Sequence, residues 1–169
     1  ATATSTPPGA PSARHVPTGH PASALSFTTW QADRRCPFCR TGFRQALKVD
    51  SRCTTCDSPL MPAPEAQNSA RELLGRRGSQ RQPRDAEVCL RLPGITHDLP
   101  ARLRNLSLTG MAFSCSERIA RGSVVRVISP QFDTLVGVVQ QRSSLAGPLV
   151  HAKLLTLQLQ RLKQGVFVS

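Results

Sequence analysis

Two sets of residues in this chain have the types and spacing that chemistry needs. The first is Cys36-Pro37-Phe38-Cys39 and Cys53-Thr54-Thr55-Cys56, two pairs of thiols with thirteen residues between them. Each short loop aims two sulfurs at one point, and the intervening span is long enough for a hairpin, so the four can close a tetrahedral thiolate site. Zn2+ is the expected occupant, with iron, or two disulfides and no metal, as the alternatives. Protein fills all four positions, so such a metal folds the segment and leaves no open coordination site for catalysis. The second set is the arginine run Arg76, Arg77, Arg81 and Arg84, upstream of Asn105-Leu106-Ser107-Leu108-Thr109-Gly110. A guanidinium is a planar fork that grips a phosphate or a guanine edge and stacks on a base. Asn105 and Ser107 add short donors and acceptors, and Gly110 allows a sharp bend or a close approach. Together they predict one cradle for an anion.

Composition agrees with an anionic partner. The 169 residues carry a formal net charge of +12, almost all of it arginine, since Lys occurs only at Lys48, Lys153 and Lys163. The length suits one ordinary domain plus a small module. No run of eighteen apolar residues occurs, which predicts no membrane-spanning helix. No charged start leads into an apolar stretch, so an intracellular, cytoplasmic protein is expected.

Residues 1–30 are mainly Ala, Thr, Ser, Pro and Gly and cannot bury enough surface to offset their ordering entropy. They are expected to be disordered or ordered by a partner, with Leu25, Phe27 and Trp30 as anchors. A transit peptide is the rival reading, against which stand a single Arg and no amphipathic period. The cysteine segment, residues 31–60, resembles a zinc ribbon, although Arg40 and Asp57 stand where Gly commonly follows each knuckle. Arg34, Arg35, Arg40, Arg44, Lys48 and Arg52 decorate it, so contact with nucleic acid is possible. Pro59 to Pro64 reads as a stiff linker, and Glu65 to about Arg77 as a short helix closed by Gly75 or Gly78.

From Glu87 the pattern becomes short strands punctuated by turns. Runs at 88–92, 100–105, 111–115, 124–128, 135–140 and 149–157 predict a mainly β fold, a small six-stranded antiparallel barrel. A tail helix is expected from Gln158 to Gly165, where Leu159 and Leu162 have helical spacing. The domains expected are an N-terminal extension (1–30), the ribbon (31–60), a linker with its helix (61–75) and the barrel (76–169).

At residues 76–157 the chain resembles a PilZ domain. That family carries an R-x-x-x-R arm before its first strand and a [D/N]-x-S-x-x-G turn after its second. Asn105, Ser107 and Gly110 match the turn, and Arg77 to Arg81 match the arm literally; counting back from the first strand instead puts the second arginine at Arg84, with Gln80 in the first place. Ala152 stands where the family's last strand usually has Gly. The resemblance implies a bacterial receptor for cyclic di-GMP, with Arg77, Arg81 or Arg84 on phosphate and guanine and with Asn105, Ser107 and Gly110 as the opposite wall. It implies an arm that orders with ligand, signalling through protein contacts, and no catalysis. Only ten carboxylates occur, none evidently paired, and no nucleophile motif surrounds the serines. His97 and His151 read as ordinary strand residues, and Cys89 and Cys115 as free buried thiols. Two alternatives stay open: a barrel that has lost the nucleotide and serves as a structural or assembly subunit of a larger complex, and a ribbon that binds nucleic acid.

Overall fold

The computed structural model describes residues 30–64, 82–145 and 147–160. Six strands close an antiparallel barrel: β1 (Gln82–Arg91), β2 (Leu99–Leu106), β3 (Gly110–Cys115), β4 (Val124–Ile128), β5 (Phe132–Arg142) and β6 (Leu149–Leu154). The order around it is β4-β1-β2-β3-β6-β5, and β5 returns to pair with β4. A two-residue strand, β7 (Gln158–Leu159), adds to the start of β5, Phe132 facing Leu159 and Asp133 facing Gln158. The helix expected from Gln158 is therefore a strand at its described start, because backbone pairing to β5 overrides a two-residue helical spacing. The described residues contain no helix long and apolar enough to cross a membrane. The extension before residue 30 and the helix expected from Glu65 lie outside the described residues.

Alternating burial builds most of the barrel: Val88 and Leu90 point inward from β1, Leu99 and Leu103 from β2. Phe113, Met111 and Val138 are fully enclosed with them. Two strands break the alternation. All of Val124–Val127 in β4 and all of Phe132–Val138 in β5 are buried. A strand buried on both faces needs a second layer, and here that layer is the ribbon. Val124, Leu135 and Leu155 form a small outer cluster against which Phe38, from the first cysteine loop, packs.

The segment expected to be a stiff linker is in fact the seam. Leu60 and Ala63 are buried, Ala63 N donates to Leu155 O at 3.0 Å, and Leu157 N donates to Met61 O at 3.0 Å. Three prolines among six residues (Pro59, Pro62 and Pro64) fix their own φ, so they sacrifice little further freedom in lying along the barrel edge. Trp30, expected as a partner anchor, is instead buried in the ribbon's own core, its ring edge-on to Phe43 with centroids 6.4 Å apart. Cys115 is buried as expected, but Cys89 points outward from β1 and is exposed. His97 is exposed and His151 half-buried in β6.

Strand β1 also starts earlier than its apolar pattern suggested. Gln82 pairs with Leu106 and Pro83 with Asn105, and a bulge follows before Ala86 meets Leu103. Arg84 thus sits within a strand and not in a free arm ahead of one.

Candidate functional site

The ribbon is built from two copies of one device, seventeen residues apart: Arg35 to Gly42 and Arg52 to Pro59. In the first, Cys36 N donates to Thr41 O at 2.8 Å and Arg40 N to Cys36 O at 2.9 Å. In the second, Cys53 N donates to Ser58 O and Asp57 N to Cys53 O, both at 2.9 Å. Arg35 bridges to Gly42 and Arg52 to Pro59. The residue after each second cysteine has the left-handed backbone that such a knuckle requires, φ 66° at Arg40 and 56° at Asp57. Glycine takes that conformation freely, whereas other residues lose roughly 1–2 kcal/mol in it. The knuckles form without glycine, and a carbonyl clamp accompanies each strained residue. Arg35 Nη1 donates to Arg40 O at 3.5 Å, and Arg52 Nη1 to Asp57 O at 2.6 Å.

These loops bring all four sulfurs within 4.8 Å of one another. The cross-loop separations are 3.7 Å for Cys36–Cys56 and 3.5 Å for Cys39–Cys53. A tetrahedron with metal–sulfur bonds of about 2.3 Å has edges of about 3.8 Å, so the thiols fit one ion. A hydroxyl accompanies the second cysteine of each pair: Thr41 Oγ1 lies 3.3 Å from Cys39 Sγ, and Ser58 Oγ 3.3 Å from Cys56 Sγ. Burial pushes the Cys36 thiol far above its usual range, against amide hydrogen bonds from Cys39 and Phe38. Burial also raises Cys56, against the Ser58 hydroxyl and amide. At Cys39 burial acts upward too, but the Thr41 hydroxyl and amide with the neighbouring thiols outweigh it and bring the group to about 7. Cys36 and Cys56, reluctant to ionise alone yet packed against the other two sulfurs, are groups that a cation would hold together.

A buried ion cluster joins this centre to the barrel. Arg126, in the middle of β4, forks onto Asp133 of β5 with Nε–Oδ1 2.9 Å and Nη2–Oδ2 2.7 Å. Its Nη1 donates to the carbonyl of Cys56 at 3.2 Å. Arg52 reaches the same Asp133 at 3.0 Å and Asp57 at 3.3 Å. Burial works against the Arg126 charge, but the Asp133 carboxylate outweighs it and holds the guanidinium above its ordinary range. Neither Arg126 nor Asp133 stood out in the sequence. The available signal was an arginine amid Val124-Val125-Arg126-Val127-Ile128, where only a paired cation can be buried.

The second set of residues meets in part. Asn105 lies near the end of β2, facing Ala112 of β3, while Ser107 stands in the bend and Gly110 opens β3. Ser107 N donates to Gly110 O at 2.8 Å, Ser107 Oγ donates to the same carbonyl at 3.0 Å, and Gly110 N donates to Ser107 Oγ at 3.1 Å. The Ser107 hydroxyl thus ties the bend together. A side chain at Gly110 would put its Cβ 2.7 Å from Ala152 O, so this glycine admits the neighbouring strand β6. Its ligand is first of all the barrel backbone. Asn105 Oδ1 is buried and has no hydrogen-bond partner, an arrangement that folded proteins seldom leave unexplained. Arg84 is exposed, two places along β1 from the residue facing Leu106, and makes no ion pair among the described residues. Arg77 and Arg81 lie outside the described residues. Two further cations on the outer face of β2 escaped notice: Arg102 and Arg104 both pair with Asp85, Arg104 at 3.4 Å.

Comparison with the models of known protein families found no match, nor did comparison with curated proteins.

Proposed function

We propose that the chain is a non-enzymatic cyclic di-GMP receptor of PilZ type, carrying a structural Zn2+ in its ribbon. The observation that supports the nucleotide reading most is Asn105. Its buried, unpartnered acceptor lies in β2 just before the bend, and Pro83, one residue before Arg84, faces Asn105 across the ladder. A guanine offers N–H donors for that acceptor, and a guanidinium beside it answers a phosphate. Gln82, where β1 begins, pairs with Leu106 beside the bend. For the metal, four thiolates in a tetrahedron favour Zn2+; iron in the same site would colour the protein. On this reading the protein works in the bacterial cytoplasm and signals through protein contacts.

Isothermal titration of cyclic di-GMP tests it. Wild type is expected to bind at roughly 10 μM or tighter, and Arg81→Ala, Arg84→Ala and Asn105→Ala each to weaken binding at least about tenfold. Ser107→Ala is expected to act through stability, because its hydroxyl closes the bend. No heat with wild type at roughly 10 μM ligand overturns the receptor reading. A second reading, a nucleic-acid-binding ribbon, is supported by Arg34, Arg35, Arg40, Arg44 and Lys48, all exposed and without an acidic partner among the described residues. Its mark would be binding to generic RNA or DNA that weakens steeply with salt.

A further inference from the structure

The two knuckles are alike inside and unlike outside, and the difference lies in a barrel residue. The peptide joining Cys56 to Asp57 contributes the Cys56 carbonyl, which accepts from Arg126 Nη1 at 3.2 Å. The same peptide leads into the left-handed residue, φ 56°, that closes the second knuckle. Asp57 itself is held by Arg52 at its carbonyl and by Arg52 and Arg126 at its carboxylate, 3.3 and 3.7 Å away. Arg126 is positioned by the bidentate Asp133, both side chains being almost wholly buried. The equivalent carbonyl of the first knuckle, at Cys39, has no such barrel donor among the described residues.

We propose that the barrel completes the metal centre: Arg126, fixed by Asp133, is a positioning residue that presets the second knuckle and so sets the ribbon's affinity for metal. This rests on the reading that the four thiols hold a metal ion. The physical reason is preorganisation. Arg126, its charge matched by Asp133, acts on the ligand loop through its hydrogen bond to the Cys56 carbonyl, which fixes the peptide next to a ligating sulfur. A strained backbone that is fixed beforehand takes no ordering from the binding energy. Coupling is reciprocal: if the docked barrel strengthens metal binding, metal binding must strengthen the docked barrel.

The experiment measures Zn2+ affinity of the full chain by competition with a chromophoric chelator, alongside thermal unfolding of the barrel with and without metal. The variants are the double change Arg126→Leu with Asp133→Leu, which keeps the position filled and uncharged, and Arg126→Lys, which keeps the charge but cannot fork to Asp133 and Cys56 together. The double variant is expected to take one equivalent of Zn2+ about 10 to 100-fold more weakly than wild type. Its barrel should lose the metal-dependent rise in melting temperature, and Arg126→Lys should fall between. Equal affinities within about twofold, with the barrel folded by circular dichroism, overturn the proposal and leave the cluster as adhesive only. If the double variant does not fold, the affinity of Arg126→Lys decides on the same criterion. Failure of wild type to take up Zn2+ is a separate outcome, which removes the thiolate reading and this proposal with it.

Discussion

The first knuckle, Cys36 to Arg40, and the second, Cys53 to Asp57, share backbone hydrogen bonds, accompanying hydroxyls and a left-handed closing residue. They differ in what stands behind them. Both closing residues are exposed, but Asp57 shares two arginines with the buried Asp133, whereas Arg40 makes no ion pair among the described residues. The first knuckle meets the barrel through the Phe38 ring against Val124, Leu135 and Leu155; the second meets it through charge. The comparison separates two layers of the four-thiol cluster. Cysteine spacing sets the inner geometry, which is the same twice. The outer support comes from tertiary contact and is given to one half only.

The largest way to break the symmetry is to remove a ligand. Cys36→Ser and Cys53→Ser are expected to abolish stoichiometric metal uptake alike, as metal analysis of purified protein would show, because each removes one of four required thiolates. Acid should act next. Burial raises Cys36 and Cys56, so in the metal-free protein both carry protons near neutral pH and metal must displace them. Affinity therefore rises with pH and falls as pH drops, by roughly tenfold per unit for each proton displaced. A chelator competition between pH 8 and 6 that showed flat affinity would contradict this. Asp133→Ala strands Arg126 in a buried site and is expected to lower stability by about 3–5 kcal/mol in chemical denaturation. Thr41→Val and Ser58→Ala each remove one hydroxyl beside a sulfur, and each should weaken metal binding about tenfold or more. The smallest effect sharpens the comparison most. Arg40→Gly relieves a left-handed residue with no ion pair among the described residues and is expected to stabilise by up to about 1 kcal/mol. Asp57→Gly relieves the same strain but gives up its arginines, so it should gain less or lose.

Much of this was legible beforehand because it is local. Two C-x2-C loops and six runs of alternating or continuous apolar residues need only near neighbours to be recognised. The bend at Asn105 to Gly110 was legible as a bend, but the purpose of Gly110 was not, since the Ala152 carbonyl it admits belongs to a strand some forty residues on. The start of β1 was missed because Gln82 to Glu87 is polar and pairs through a bulge. Pro59 to Pro64 has the composition of a linker, and only the backbone of Leu155 and Leu157 turns it into a seam. Arg126 was passed over because a buried charge is defined by its partners, and these lie on another strand and in another module.

The sequence distances in the seam bear on how the molecule assembles. Closing the sulfur cluster spans twenty residues from Cys36 to Cys56, whereas Arg126 to Cys56 spans seventy and Arg52 to Asp133 eighty-one. Short closures are reached sooner than long ones, so the ribbon can clench early and the guanidinium clasp comes last, once β4 and β5 already lie side by side. Contacts made after the rate-limiting step slow unfolding and leave the folding rate alone; loading the ribbon should therefore lengthen the native lifetime of the barrel without hastening its birth.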